Sequence, residues 1–239
     1  LFLRRNVFKD GVVAAAELDA LFALAERAPK GDAEWPMFFE EAVADLYLRR
    51  GVRCVEASAY LQLTPAIVRY ACSGLHIGAN GEIQRRGRVF AKVSRSEVAK
   101  QFLEPPPPAM LQELRARGLL SELEVQLAAQ LPLTEDLTAE ADSGGHTDNR
   151  ALTALLPSLA ALRDRIVHER GYRAPIRLGA AGGLGTPGAV AAAFAMGAAF
   201  VQTGSVNQAC IELLRARSAD ELLGKASIDF IHPDLQPAT

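Results

Sequence analysis

Five short runs rich in β-branched and apolar residues recur along the chain with helical stretches between them: Val52–Ala57, Arg88–Val93, Leu137–Ala141, Ile176–Gly179 and Ala199–Thr203. Strand, helix, strand alternation implies a parallel sheet with helices outside it. The fold class expected is therefore α/β, a partial or modified (β/α)8 barrel of parallel strands preceded by a helical N-terminal segment. At 239 residues, 49% hydrophobic and 23% charged, the chain can bury the core of one barrel-sized domain or two small ones. Its texture divides it into residues 1–40, rich in Ala and charges, a barrel portion over 41–211, and a polar tail over 212–239.

The helices carry readable ends. Thr64-Pro65 and Thr186-Pro187 each put a hydroxyl N-cap before a proline at the first helical position, where the missing N–H costs nothing. Ser94…Glu97, Ser121…Glu124 and Ser218…Glu221 have the spacing of capping boxes. Gly197 is placed to end the helix begun at Pro187, and Pro105 to Pro108 reads as an extended connector before a helix starting near Ala109.

Charge names no partner: 26 Lys and Arg stand against 28 Asp and Glu, with no basic stripe to hold a nucleic acid. No apolar run reaches the roughly 20 residues that cross a bilayer, and the first residues lack the charged-then-apolar pattern of a signal peptide. Cys54, Cys72 and Cys210 are widely spaced and read as small buried apolar residues in a reducing, cytoplasmic compartment. The first residue, Leu1, leads us to expect a fragment or a processed product.

The strongest chemical signal is Gly179-Ala180-Ala181-Gly182-Gly183-Leu184-Gly185-Thr186-Pro187, which leaves a strand, turns through glycines and enters a capped helix. Glycines let backbone N–H groups approach an anion, and the positive end of the helix dipole adds attraction, so this turn suits a phosphate. A second turn at Thr203-Gly204-Ser205 follows one strand later, as at the seventh and eighth strands of a (β/α)8 barrel. Gly183, Gly185 and Gly188 also spell GxGxxG, but the acidic residue that a dinucleotide fold needs about 20 positions on is missing.

The second signal is Glu140-Ala141-Asp142-Ser143-Gly144-Gly145-His146-Thr147-Asp148, again at a strand end. The Gly144-Gly145 pair removes bulk so that a flat ligand can lie against the backbone, while the His146 imidazole titrates where proton transfer near neutrality needs it. His76, His168 and His232 lack such surroundings and read as solvated; no pair has metal-ligand spacing. Lys92 sits inside an apolar strand, where an ammonium needs an anionic or carbonyl partner; the alternative is that it points outward to a helix carboxylate. Glu56 and Glu140 interrupt strands likewise, either lining a ligand mouth or satisfying one another.

From Asp45–Leu48 through Val55–Tyr60, Leu63–Pro65, Val68–Tyr70, Ala91–Ser94, Glu140–Asp148 and Gly179–Gly183 to Thr203–Gln208, the sequence resembles the PfaD-type enoyl reductases. These are trans-acting flavoproteins of polyunsaturated fatty acid and polyketide synthases, related to the nitronate monooxygenases. The resemblance implies an FMN-binding barrel in which NADPH reduces the flavin, and the flavin passes hydride to the β-carbon of an enoyl thioester on an acyl carrier protein. It further implies that Gly182, Gly183, Gly204 and Ser205 hold the FMN phosphate and that Ala181 and Thr203 also bind the cofactor. Lys92, Glu140, Ser143, Gly144 and Gly145 would contact the cofactor, Lys92 at its carbonyl edge, and His146 would polarise the thioester or manage the α-carbon proton. A nitronate monooxygenase-like flavoprotein and a non-catalytic partial barrel are the alternatives. A homo-oligomer is compatible with either.

The ends depart from that pattern. The family's first three strands and its helical lid have no counterpart, so the expected sheet is the last five strands of eight, an incomplete or composite version. Asn6 to Glu17 has the outline of a degenerate EF-hand loop with Phe8 where an oxygen ligand belongs.

Overall fold

The computed structural model describes residue 23 and residues 34–57, 63–142 and 148–203, with side chains from Phe39 onward in the second stretch. Helix α1 (Glu34–Arg49) leads into strand β1 (Cys54–Ala57) and helix α2 (Pro65–Cys72). A short antiparallel hairpin, β2 (His76–Ile77) and β3 (Ile83–Gln84), precedes β4 (Arg88–Val93). Helices α3 (Ser96–Leu103), α4 (Pro108–Ala116) and α5 (Glu122–Ala128) lead to β5 (Asp136–Glu140), and α6 (Leu152–Arg170) leads to β6 (Arg177–Ala181). Helix α7 (Pro187–Ala195) and β7 (Val201–Gln202) follow.

The sheet runs β1-β4-β5-β6-β7, every pair parallel. Its order is the order of the chain, without the reversal that creates a dinucleotide crevice in a doubly wound fold, so the GxGxxG string belongs to a barrel-type sheet instead. All five expected strands are present with ends shifted by up to two residues; the hairpin at Gly78–Gly81 was not anticipated. Helix α1 passes without a break through residues 40 and 41, where the sequence texture changes.

One face of the sheet is the core. Val89, Ala91 and Val93 of β4, Leu137 and Ala139 of β5, and Leu178 and Ala180 of β6 are buried against Phe102 and Leu103 of α3 and Leu156, Leu159 and Ile166 of α6. Beneath it the Arg85 guanidinium, only 7% exposed, donates to Ala71 O, Pro132 O and Glu135, tying α2 to the segment entering β5. A buried guanidinium is tolerated because its fork of donors is matched by two carbonyls and a carboxylate.

The caps divide. Thr64 accepts from Ile67 N, Thr186 accepts from Ala189 N, and Ser121 with Glu124 forms the full capping box. Gly197, at φ 96°, follows α7 as expected, and α4 begins at Pro108 rather than Ala109. Ser94 is a correction: α3 starts at Ser96 with Arg95 as its N-cap, and the Ser94 hydroxyl instead donates to Asp148. Ser218…Glu221 and the 6–17 loop lie outside the described residues. Cys54 is a second correction, because it begins the edge strand β1 and is exposed, whereas Cys72 is buried, which pushes its thiol up to about 12.

Candidate active site at the carboxyl ends of the strands

Alternation along the strands sends every second side chain to the inner face of the sheet. On that face, Lys92 Nζ lies 3.1 Å from Glu56 Oε1 and 3.5 Å from Glu140 Oε2. Lys92 therefore faces inward and meets two strand carboxylates, which excludes the outward pairing with a helix carboxylate. Burial pulls its pKa down, but its hydrogen bond to Glu56 and the charges of both carboxylates outweigh that and hold the ammonium above its usual range. Glu56 and Glu140 satisfy the same cation rather than each other.

Gln202 Nε2 donates to the second Glu56 oxygen at 2.9 Å. Glu56 stands on the first strand of the sheet and Gln202 on the fifth. Four steps of about 4.8 Å would set those strands about 19 Å apart if the sheet were flat, beyond the reach of two side chains that touch end to end. The contact requires a sheet curled into a half-barrel, with Glu56, Lys92, Glu140 and Gln202 meeting across its mouth.

Buried polar atoms of this inner face are left short of partners. Thr138 Oγ1 and Gln202 Oε1 have no hydrogen bond among the described residues, and Glu140 Oε2 has none beyond its long ion pair with Lys92. Thr138 is fully buried and stands beside Lys92 in register. Each such atom costs about 1–3 kcal/mol if nothing pairs with it. Deeper, Asp136 accepts from Arg177 Nε at 2.6 Å and Nη2 at 2.5 Å, the guanidinium lies over the Phe200 ring, and Phe200 meets Phe90 edge-on at 5.3 Å. Gly179 makes room for Phe200: a Cβ there would lie 2.5 Å from ring atoms Cδ2 and Cζ and closer still to Cε2. The mouth is thus polar and its floor aromatic.

The glycine turn leaves β6 beside this mouth. Gly182 and Gly183 have φ of 92° and 67°, in the left-handed region that favours glycine. A Cβ on Gly182 would meet the Ala141 carbonyl group, with its carbon at 2.7 Å, so β5 backbone approaches too closely for any other residue. Gly185 N donates back to Gly183 O, and two residues later α7 begins under the Thr186 cap. Ala181 pairs with Gln202, which places Thr203 at the neighbouring strand end.

The structure therefore brings Lys92, Glu140, Ala181, Gly182, Gly183 and Thr203 to one end of one sheet. Ser143, Gly144, Gly145, His146, Gly204 and Ser205 lie outside the described residues. The base of the segment holding His146 is described: Asp142 N donates to Arg150 O at 2.9 Å, and Asp148 is held by Ser94 and by Arg95 Nε at 3.3 Å. Sequence reasoning did not single out Thr138, Asp136, Arg177 or Gln202; their only local signal is a polar residue at every second position of a strand. His76 and His168 are exposed, and no group of three metal-ligating side chains occurs among the described residues. No described helix is long and apolar enough to cross a membrane.

No protein-family model matches the chain. It is 45% identical over 194 residues to a component of the polyunsaturated fatty acid synthase of Thraustochytrium sp., covering 80% of this chain and 13% of that protein. It is 43% identical over 189 residues to the polyketide biosynthesis protein PksE of Bacillus subtilis, covering 79% of this chain and 25% of that one. The crystal structure of the enoyl reductase domain of MlnA, from the macrolactin biosynthesis cluster of Bacillus amyloliquefaciens, superposes with a TM-score of 0.67 at 40% identity, over 71% of this chain and 38% of that domain. The chain spans a quarter or less of the length of these two curated relatives. With sequence and fold comparisons agreeing, the matched segment belongs to the PfaD-type enoyl reductases and spans a part of them.

Proposed function

We propose that this segment carries the flavin site of an FMN-dependent enoyl reductase that acts on enoyl thioesters carried by an acyl carrier protein. The observation that carries the reading is the junction, at adjacent strand ends, of a left-handed glycine turn opening a capped helix with a mouth whose buried polar atoms lack partners. Both features fit FMN. Backbone N–H groups around Gly182 and Gly183, and the N-terminus of α7, suit a phosphate; Thr203, Gly204 and Ser205 would complete its grip. Glu140 Oε2 and Gln202 Oε1 accept, and Lys92 donates, which matches the mixed acceptors and donors of an isoalloxazine edge.

FMN reduced by NADPH would supply the hydride for the β-carbon of the enoyl thioester. This chain's residues do the rest. Lys92 holds a positive charge at the mouth, Glu140 and Ser143, Gly144 and Gly145 would hold the isoalloxazine, and His146 would donate toward the thioester oxygen or to the α-carbon. A donor at that oxygen is worth most as negative charge builds there. Asp148, two residues beyond His146 in sequence, is held by Ser94.

The test is a set of three measurements on the purified protein. A flavin absorbance band is expected, with NADPH consumed on a crotonyl thioester and not on a nitronate. His146→Ala is expected to lower turnover by roughly 100-fold or more while flavin is retained, the range of a general acid. Gly183→Val is expected to lose flavin. Equal flavin loss in both variants would refute these roles, and nitronate oxidation would reassign the enzyme to the oxygenases.

A further inference from the structure

Resting on the flavin reading above, we propose that Glu56 and Gln202 are positioning residues that fix the Lys92 ammonium at the barrel mouth, so that the charge of this bracket sets the reduction potential of the bound flavin. Neither residue belongs to the glycine turn or to the Ser143–His146 segment, and the two stand 146 positions apart in sequence.

Geometry carries the argument. Lys92 Nζ has two carboxylate neighbours, at 3.1 and 3.5 Å, and the nearer one is itself held from behind by Gln202 at 2.9 Å. An unrestrained lysine has four rotatable bonds and would sample many positions; here Glu56 cannot follow it, because Gln202 pins its other oxygen. The Lys92 side chain is 23% exposed and that of Glu140 15%, so these two charges are screened less than surface charges, while Glu56, 47% exposed, forms the solvent-facing side of the bracket. One ammonium and two carboxylates leave the bracket with one excess negative charge. Independent of these charges, Thr138 Oγ1 and Gln202 Oε1 lie buried beside the bracket with no hydrogen bond among the described residues, which marks this face as one that receives a ligand.

Reduction adds electron density to a flavin, so the surrounding charge discriminates between the two oxidation states. Removing the ammonium makes the bracket more negative and disfavours the reduced form; removing a carboxylate does the opposite. The two nearly isosteric variants Lys92→Met and Glu56→Gln should therefore move the midpoint potential in opposite directions. A loss of packing alone has no reason to produce that pattern.

The experiment is spectroelectrochemical titration of flavin-loaded wild type, Lys92→Met, Glu56→Gln and Gln202→Leu, with the affinity for oxidised FMN measured by quenching of its fluorescence. Expected is a roughly tenfold fall in the preference for reduced over oxidised FMN in Lys92→Met, about 30 mV for a two-electron couple, and a rise in Glu56→Gln. Gln202→Leu keeps the charge and should weaken FMN binding with a shift under threefold. Lys92→Arg, which keeps the charge, should stay near wild type. If Lys92→Met does not fold, Lys92→Gln makes the same comparison. Potentials of Lys92→Met and Glu56→Gln that move in the same direction, or not at all, while both variants hold flavin overturn the bracket and leave the flavin reading standing; a wild type that takes up no FMN overturns both.

Discussion

Gly179 is a glycine because Phe200 lies where its side chain would be, and that can be put to a quantitative test. A Cβ at this position would stand 2.5 Å or less from three ring carbons, against the roughly 3.5–4.0 Å of an ordinary carbon contact, so the ring must retreat by about 1 Å. Retreat turns Phe200 off its rotamer, at about 0.5–1.5 kcal/mol, and breaks its edge contact with Phe90, worth about 0.5–1.5 kcal/mol. Replacing a strand glycine by alanine returns about 0.5–1 kcal/mol of backbone entropy. These ranges put the destabilisation by Gly179→Ala at about 1.25 kcal/mol in their middle and about 2.5 kcal/mol at most, comparable to overpacking. Urea unfolding is the assay; with a slope of about 2 kcal/mol per molar, the midpoint should fall by roughly 0.5–1 M. The diagnostic step is to repeat the substitution in Phe200→Ala, where the three nearest obstructing atoms are gone and the double variant should be at least as stable as Phe200→Ala alone. An unchanged penalty in that background would refute the assignment of Gly179 to ring clearance.

Two further substitutions rank the positions of the glycine turn. Gly182→Ala combines a left-handed backbone with the immovable Ala141 carbonyl and should cost about 3 kcal/mol, whereas Gly183→Ala, whose methyl would sit 3.4 Å from Asp142 O, should cost only the backbone term of about 1–2 kcal/mol; thermal melts showing the reverse order would contradict the wall at Ala141. Stability should also depend on Lys92 at alkaline pH. Its pKa is raised in the fold, so its contribution is complete below the ordinary value of 10.5 and is lost as pH climbs through the raised value. Lys92→Met should flatten the alkaline fall in urea midpoint, and an unchanged slope would show that the bracket does not bind the proton more tightly than the unfolded chain does.

What could be read from sequence was what neighbouring residues decide. The β-branched runs, the Thr-Pro caps and the Ser121 capping box rest on groups within four positions of one another, and the structure has them. Ser94 had the same spacing, but Asp148, 54 residues away, offered its hydroxyl a charged acceptor and took it from the helix. Gln202 carries no local mark beyond its polarity within a strand, and only the curl of the sheet brings it to Glu56. Lys92 and Glu140 could be suspected from their polarity inside strands, while the direction in which Lys92 points is a tertiary fact. The hairpin escaped notice because its strands are two residues each and present no period.

The Glu56–Gln202 bond also bears on how the protein folds. It closes a loop of nearly the whole described chain, and the entropy of that closure must be met before the bond can return anything. Such a contact forms after its strands have paired, on the native side of the folding barrier. Loosening it should hasten unfolding while refolding proceeds at its former pace, which makes this hydrogen bond a clasp that governs how long the mouth stays assembled rather than how quickly it is built.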